Sequence, residues 1–279
     1  MQAHLYALGA ILLWSALATL GVSLQHVPPF LLTGIALLMG SLLALPFVMK
    51  DWRQWNIPAS TLALGVYGLF GYHFLLFIAL RHAPPVEANL VNYLWPLLMV
   101  VLAPLFLAGL RLRALHLLAA LLGFGGAAMA ILGASQGTTG GGWSWGFVPA
   151  LASAFIWASY SLLTQRVQAF PTAAIGLFGL VSGLLSLLCH WALESPVTLS
   201  GRDWLLLAVM GCGPLGAAFF LWDKALKLGD ARQIGILSYL TPLGSTALLM
   251  LVSGRHLSWS IGLATAMILG AAWLGMRAR

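Results

Sequence analysis

Ten apolar stretches, each close to the roughly 20 residues that a helix needs to cross a bilayer, follow one another along this chain with little between them. Read on a hydropathy window of that length, they run near residues 5–24, 30–49, 60–80, 87–107, 115–135, 146–165, 173–193, 204–224, 233–252 and 258–276. The punctuation is short and turn-like: Pro28-Pro29, Lys50-Asp51, Pro84-Pro85, Arg111 to Arg113, Pro171, Gly201 to Asp203, Gly229-Asp230 and Gly254-Arg255. This leaves no room for a separate soluble domain. Only 7% of the 279 residues are charged, against roughly 25% in soluble domains, so lipid is the expected solvent. The expected fold is an all-α membrane protein of ten transmembrane helices. No cleaved signal peptide is expected at the first span, which has no Lys or Arg ahead of it.

The cations set an orientation. If the N-terminus and the even-numbered connections share a side, that side holds Lys50, Arg53, Arg111, Arg113, Arg166, Lys224, Lys227, Arg232, Arg277 and Arg279. The opposite side holds only Arg81, Arg202 and Arg255. Ten against three places both termini in the cytoplasm. The net charge of +7 is then a topology signal, and no nucleic-acid face is needed to explain it.

The chain also repeats itself. Trp14-Ser15-Ala16, then Pro28 and Gly40, correspond to Trp157-Ala158-Ser159, then Pro171 and Gly183, at a constant shift of 143. Asn92-Tyr93-Leu94-Trp95-Pro96-Leu97 corresponds to Ser238-Tyr239-Leu240-Thr241-Pro242-Leu243 at a shift of 146, as does Ala79-Leu80-Arg81 to Ala225-Leu226-Lys227. The expected organisation is a first five-helix repeat over 1–136, a Gly/Thr-rich linker over 137–145 and a second five-helix repeat over 146–279. Five is odd, so the second repeat enters the membrane inverted. That is the architecture of secondary transporters, with a site near the midplane between the repeats.

Repeat, span count and motifs together resemble the drug/metabolite transporter superfamily in its EamA-type branch. More narrowly, Glu87 with Val91 to Pro96, Phe155-Ile156-Trp157-Ala158-Ser159-Tyr160 and Ser238 to Pro242 resemble the YddG-type aromatic amino-acid exporters of bacteria. The resemblance implies an inner-membrane exporter of amino acids, aromatic ones included, and of related metabolites.

The residues point the same way. Tyr93 and Trp95 lie six to eight residues into the fourth span, about 9–12 Å deep, and Tyr239 lies six residues into the ninth from the opposite side. Trp157 and Tyr160 are one turn apart on the sixth span. Tyr72 and His73 fall within the third and Trp222 within the eighth. Aromatic residues usually girdle the interface, so rings with polar tips at this depth suit a cavity wall. Asn92 and Ser238 are costly in hydrocarbon unless they bond across helices or to a ligand. The expected substrate-binding set is therefore Tyr72, His73, Asn92, Tyr93, Trp95, Trp157, Tyr160, Trp222, Ser238 and Tyr239. For His73 the alternative is a cap on a neighbouring backbone carbonyl. Pro96 and Pro242 each remove a backbone hydrogen bond and read as helix hinges, or as static kinks. Gly65, Gly68 and Gly71, and likewise Gly179 and Gly183, read as close helix packing.

Other chemistry finds little support. Gly211-Cys212-Gly213-Pro214-Leu215-Gly216 matches a dinucleotide-binding string only literally, because it lies in an apolar span with a proline inside. No metal, nucleotide or other cofactor is expected, and no acid–base set points to an enzyme. All six carboxylates, Asp51, Glu87, Glu194, Asp203, Asp223 and Asp230, fall at or near span ends. That favours a facilitator working by alternating access, with a small-molecule substrate and the bilayer as its expected partners and the oligomeric state left open. The alternatives are a proton-coupled multidrug or quaternary-ammonium exporter, and a channel or membrane scaffold. Aromatic amino acids are the favoured substrates; Met, Thr, quaternary ammonium compounds and nucleoside-like metabolites also suit the lining.

Overall fold

The computed structural model describes residues 2–134, 143–253 and 259–278. The Gly137 to Gly142 linker and Arg255 lie outside them. Among the described residues every regular element is helical. We label the helices α1 (Gln2–Ser23), α2 (Pro29–Lys50), α3 (Ala59–His82), α4 (Pro85–Phe106), α5 (Ala114–Ala134), α6 (Phe147–Leu163), α7 (Ala174–Leu193) and α8 (Gly201–Leu228). α9 comprises Ala231–Leu237 and Leu240–Ser253, and α10 is Trp259–Arg277. Seven helices, α1 to α5 with α7 and α8, are long and apolar enough to cross a membrane among the described residues. In lipid a spanning segment must satisfy its own backbone, so long apolar runs become helices. Large side chains such as Leu12, Leu105, Leu188, Trp191 and Leu251 stand exposed on the outside, as a lipid-facing surface requires.

Several helices are not regular, and two kinds of departure occur in pairs. α3 widens into a π-helical turn over Tyr67–Gly71, and α8 does so over Gly213–Ala217. These turns lie 146 residues apart, the shift already seen between the Tyr-Leu-x-Pro-Leu motifs. Helix α4 breaks at Tyr93-Leu94, and α9 breaks at Ser238-Tyr239. Pro96 and Pro242 therefore sit in the first turn of a renewed helix, where a missing N–H costs least. The Gly211 to Gly216 string is the α8 π-turn and the residues leading into it.

Packing follows the same pairing. α2 lies along α7 and α5 along α10; α1 packs on α8 and α9, and α6 on α3 and α4. Glycines set the closest approaches. A Cβ on Gly34 would stand 3.1 Å from the Gly183 carbonyl, and one on Gly183 would stand 3.0 Å from that of Gly34. In α3, a Cβ on Gly65 would fall 2.2 Å from the Phe178 ring, and one on Gly68 would fall 2.3 Å from Tyr160. The small residues are thus the sockets for large ones from α7 and α6.

Polar clasps mark both ends of the bundle. At the end holding the α1–α2 turn, Glu194 accepts hydrogen bonds from the backbone N–H groups of Phe30 (3.0 Å) and Leu31 (3.2 Å) and from Arg81 (2.7 Å). It thereby caps the positive end of α2 and ties it to α3 and α7. At the end holding the N-terminus, Asp223 accepts from Thr172 (2.7 Å) and Lys227 (2.6 Å), and Gln165 donates to the Leu226 carbonyl (2.6 Å). There too Arg232 pairs with Asp230 and donates to the Arg111 carbonyl (2.7 Å). Burial pushes the Asp230 carboxyl up, but hydrogen bonds from the Arg232 side chain and backbone outweigh it and hold the group below the usual carboxylate range.

Candidate functional site

A cavity of about 530 Å³ lies among α1, α2, α3, α4, α6, α8 and α9. That volume suits a small organic molecule. It runs from Trp14, Trp95, Trp157 and Phe219, within their helices, to Gln25, Leu80 and Asn89 beside the α1–α2 and α3–α4 turns.

Trp157 organises its floor. Its ring centroid lies 5.4 Å from Tyr72, 5.8 Å from Trp14, 5.6 Å from Phe219 and 6.4 Å from Trp95. On its other side it meets Tyr160 at 5.3 Å and stacks on Trp222 at 6.4 Å. Offset and edge-on ring pairs of this kind contribute about 0.5–1.5 kcal/mol each beyond area burial. The floor is therefore a rigid aromatic layer closing the cavity toward the end that holds the N-terminus.

The π-turns place two of these groups. A π-turn leaves a backbone carbonyl poorly paired within its helix. Trp14 donates its indole N–H to the Pro214 carbonyl in the α8 turn (3.1 Å). The His73 ring does the same in the α3 turn, its Nδ1 bonding the Leu69 carbonyl at 2.6 Å. A carbonyl only accepts, so Nδ1 carries the proton and Nε2 of the neutral ring is an acceptor. His73 is thus both the carbonyl cap and a cavity-lining group.

The polar wall is tied together by Asn92, which is 3% exposed. Its amide donates to the Tyr72 hydroxyl on α3 (3.0 Å) and accepts from Ser153 on α6 (3.0 Å). Tyr93, Asn89, Gln25, Thr33, Thr241 and Ser245 complete the polar lining. No Asp, Glu, Lys or Arg lines the cavity among the described residues.

Of the ten residues expected to bind substrate, Tyr72, His73, Asn92, Tyr93, Trp95 and Trp157 line this one cavity. The other four stand outside its wall. Tyr160 and Trp222 lie beneath the floor, Trp222 donating to Ser161 at 3.2 Å. The Ser238 hydroxyl bonds the Gly235 carbonyl of its own helix at 2.5 Å. Tyr239 is fully buried against α5, where a Cβ on Gly123 would be 2.4 Å from its ring. Glu87 stands in the first turn of α4, outside the cavity lining. Sequence reasoning did not single out Phe219, Asn89, Gln25 or Thr241 as binding residues. Phe219 was reachable, since it lies 146 residues after His73, and Asn89 is one turn before Asn92 and Tyr93. Gln25 carried no signal beyond a polar residue at a span end.

The sequence and the fold have close counterparts. A family model described as the EamA-like transporter family matches residues 1–132 and again 144–276. The aromatic amino acid exporter YddG of Ancylobacter novellus is 40% identical, over 97% of this chain and 96% of its own. The exporter of the same name from Escherichia coli is 28% identical, over 99% of this chain and 98% of its own. A solved crystal structure superposes with a TM-score of 0.90 at 38% identity, covering 99% of this chain and 97% of the other. Matched by the family model over nearly its whole length, the chain belongs to the EamA-like transporter family.

Proposed function

We propose that this protein exports aromatic amino acids across the bacterial inner membrane by alternating access, as a facilitator, and that the cavity built on Trp157 is its substrate site. The observation that carries this reading is the pairing of an aromatic floor with a polar wall free of charged side chains. Stacked and edge-on rings suit an indole or phenyl side chain. Neutral amides, hydroxyls and an imidazole suit a zwitterion, whose own charges cancel. The relatives named as aromatic amino acid exporters support the same substrate class.

In this reading ten helices cross the membrane as two inverted five-helix repeats, over 1–136 and 146–279, with both termini cytoplasmic. Paired π-turns, paired helix breaks and the twofold family match support the repeat. The cavity then faces outward, and the Trp14–Trp157–Tyr160–Trp222 layer with the Asp223–Lys227 clasp seals the inner side. Tyr72, Trp95 and Trp157 hold the ring, and His73, Asn92 and Tyr93 are the neutral polar groups that line the site beside it. Pro96 and Pro242, each beside a helix break, are the hinges. Ser238 and Tyr239 reach the pathway in the inward-facing state, when the α9 break takes the place that the α4 break holds here. Tyr160 and Trp222 then part from Trp157 and become lining.

The test is uptake by purified protein in proteoliposomes. Tryptophan, phenylalanine and tyrosine should enter saturably, with counterflow, at rates insensitive to an imposed pH gradient. Linear, non-saturable flux would instead mark a channel, and a strict need for the pH gradient would remove the facilitator reading.

A further inference from the structure

Thr241 lines the cavity, is 6% exposed, and its hydroxyl has no hydrogen-bond partner. A threonine in a helix can bond the carbonyl one turn back; of the cavity-lining residues, Thr241 on α9 and Thr33 on α2 each leave a buried hydroxyl without a partner. A buried, unpaired hydroxyl costs free energy that a valine of the same shape would avoid. The position is also specific. In the repeat register Thr241 stands where the first repeat carries Trp95. Its backbone carbonyl accepts from the Ser15 hydroxyl at 3.4 Å, beside Trp14 of the aromatic floor. Ser245, one turn further along α9, lines the same cavity. One wall, from α4 and α6, thus offers indoles, and another, from α9, offers hydroxyls.

We propose that Thr241, with Ser245 beyond it, contacts the ammonium–carboxylate head of the substrate, which orients the ring toward Trp95 and Trp157. A hydroxyl both donates and accepts, so it can serve either charged group of that head. The assignment rests on the amino-acid export reading and adds the direction in which the substrate lies.

Thr241→Val and Thr241→Ser, assayed in proteoliposomes, test it. A hydrogen bond to a charged group corresponds to about a ten-fold change in affinity or more. In Thr241→Val the KM for tryptophan, phenylalanine and tyrosine should rise together by about ten-fold, because the head is common to all three. Thr241→Ser should return KM to near the wild-type value. Thermal stability of Thr241→Val in detergent should be unchanged or higher, since no internal hydrogen bond is lost. An unchanged KM, a rise confined to one of the three substrates, or a loss of stability restored by serine would each overturn the assignment. If wild-type protein transports and Thr241→Val matches it, the assignment alone fails. If wild-type protein moves no amino acid, the export reading fails and the assignment with it.

Discussion

Helices α4 and α9 break at a shared motif and differ in what they do with it. In α4, Asn92 and Tyr93 stand at the break and face the cavity, with Asn92 bonded to Tyr72 and Ser153. In α9 the equivalent Ser238 bonds within its own helix and Tyr239 is buried against α5. The 146 shift turns Tyr72 into Ala218, and the 143 shift turns Ser153 into Ala10, so the polar triad has no counterpart at the corresponding positions. The features that are kept are backbone ones: the π-turns, the breaks, and the prolines that follow them. The backbone departures come in pairs, and the side chains at corresponding positions differ, so one side of the cavity is polar and aromatic.

The largest effect is expected where that divergence converges, at Trp157. Trp157→Ala should lower transport by more than about 100-fold, since the ring meets six others, and should cost about 3–5 kcal/mol of stability. Uptake kinetics beside thermal unfolding in detergent would separate the two losses, and Trp157→Phe should keep the fold with partial activity. Next come the shared sockets. Gly65→Ala and Gly211→Ala, at equivalent positions of α3 and α8, should each destabilise by about 1–3 kcal/mol. A Cβ would stand 2.2 Å from Phe178 in the first and 2.6 Å from the Ala36 carbonyl in the second. Gly262→Ala, with nothing within 4 Å, should be neutral by the same measurement. Unequal effects at the two positions would argue against a common frame for α3 and α8.

A smaller contrast is expected between the motifs themselves. Asn92→Ala breaks two inter-helix hydrogen bonds at about 1 kcal/mol each, so its kcat/KM for tryptophan should fall by about ten-fold or more. Ser238→Ala loses one bond within its own helix and should stay within about two-fold of wild type. Equal losses in both variants would show that the α9 motif is engaged as closely as the α4 motif.

The same contrast explains how much of the fold and of the site is legible in the sequence. Apolar length is one-dimensional, so the succession of apolar helices and the positions of Tyr72, His73 and Trp157 well inside them are legible in the sequence. Which side of a helix faces the cavity is not. A helix bathed in lipid is apolar all round, so periodicity gives no inward stripe. Trp222 and Tyr239 were therefore indistinguishable by depth from Trp157 and Tyr93. The π-turns carried no signature beyond glycine and proline, yet they free the two carbonyls that fix Trp14 and His73. Thr241 was visible only as the third residue of Tyr-Leu-x-Pro, in the place where the first repeat has an indole.

The most direct test is equilibrium binding of labelled tryptophan to the purified protein, in competition with unlabelled amino acids. A neutral aromatic cavity requires saturable binding, displaced by phenylalanine and tyrosine, not by lysine or glutamate, and lost in Trp157→Ala. Binding that lysine or glutamate displaces equally well, or that survives in Trp157→Ala, would contradict the assignment of this cavity.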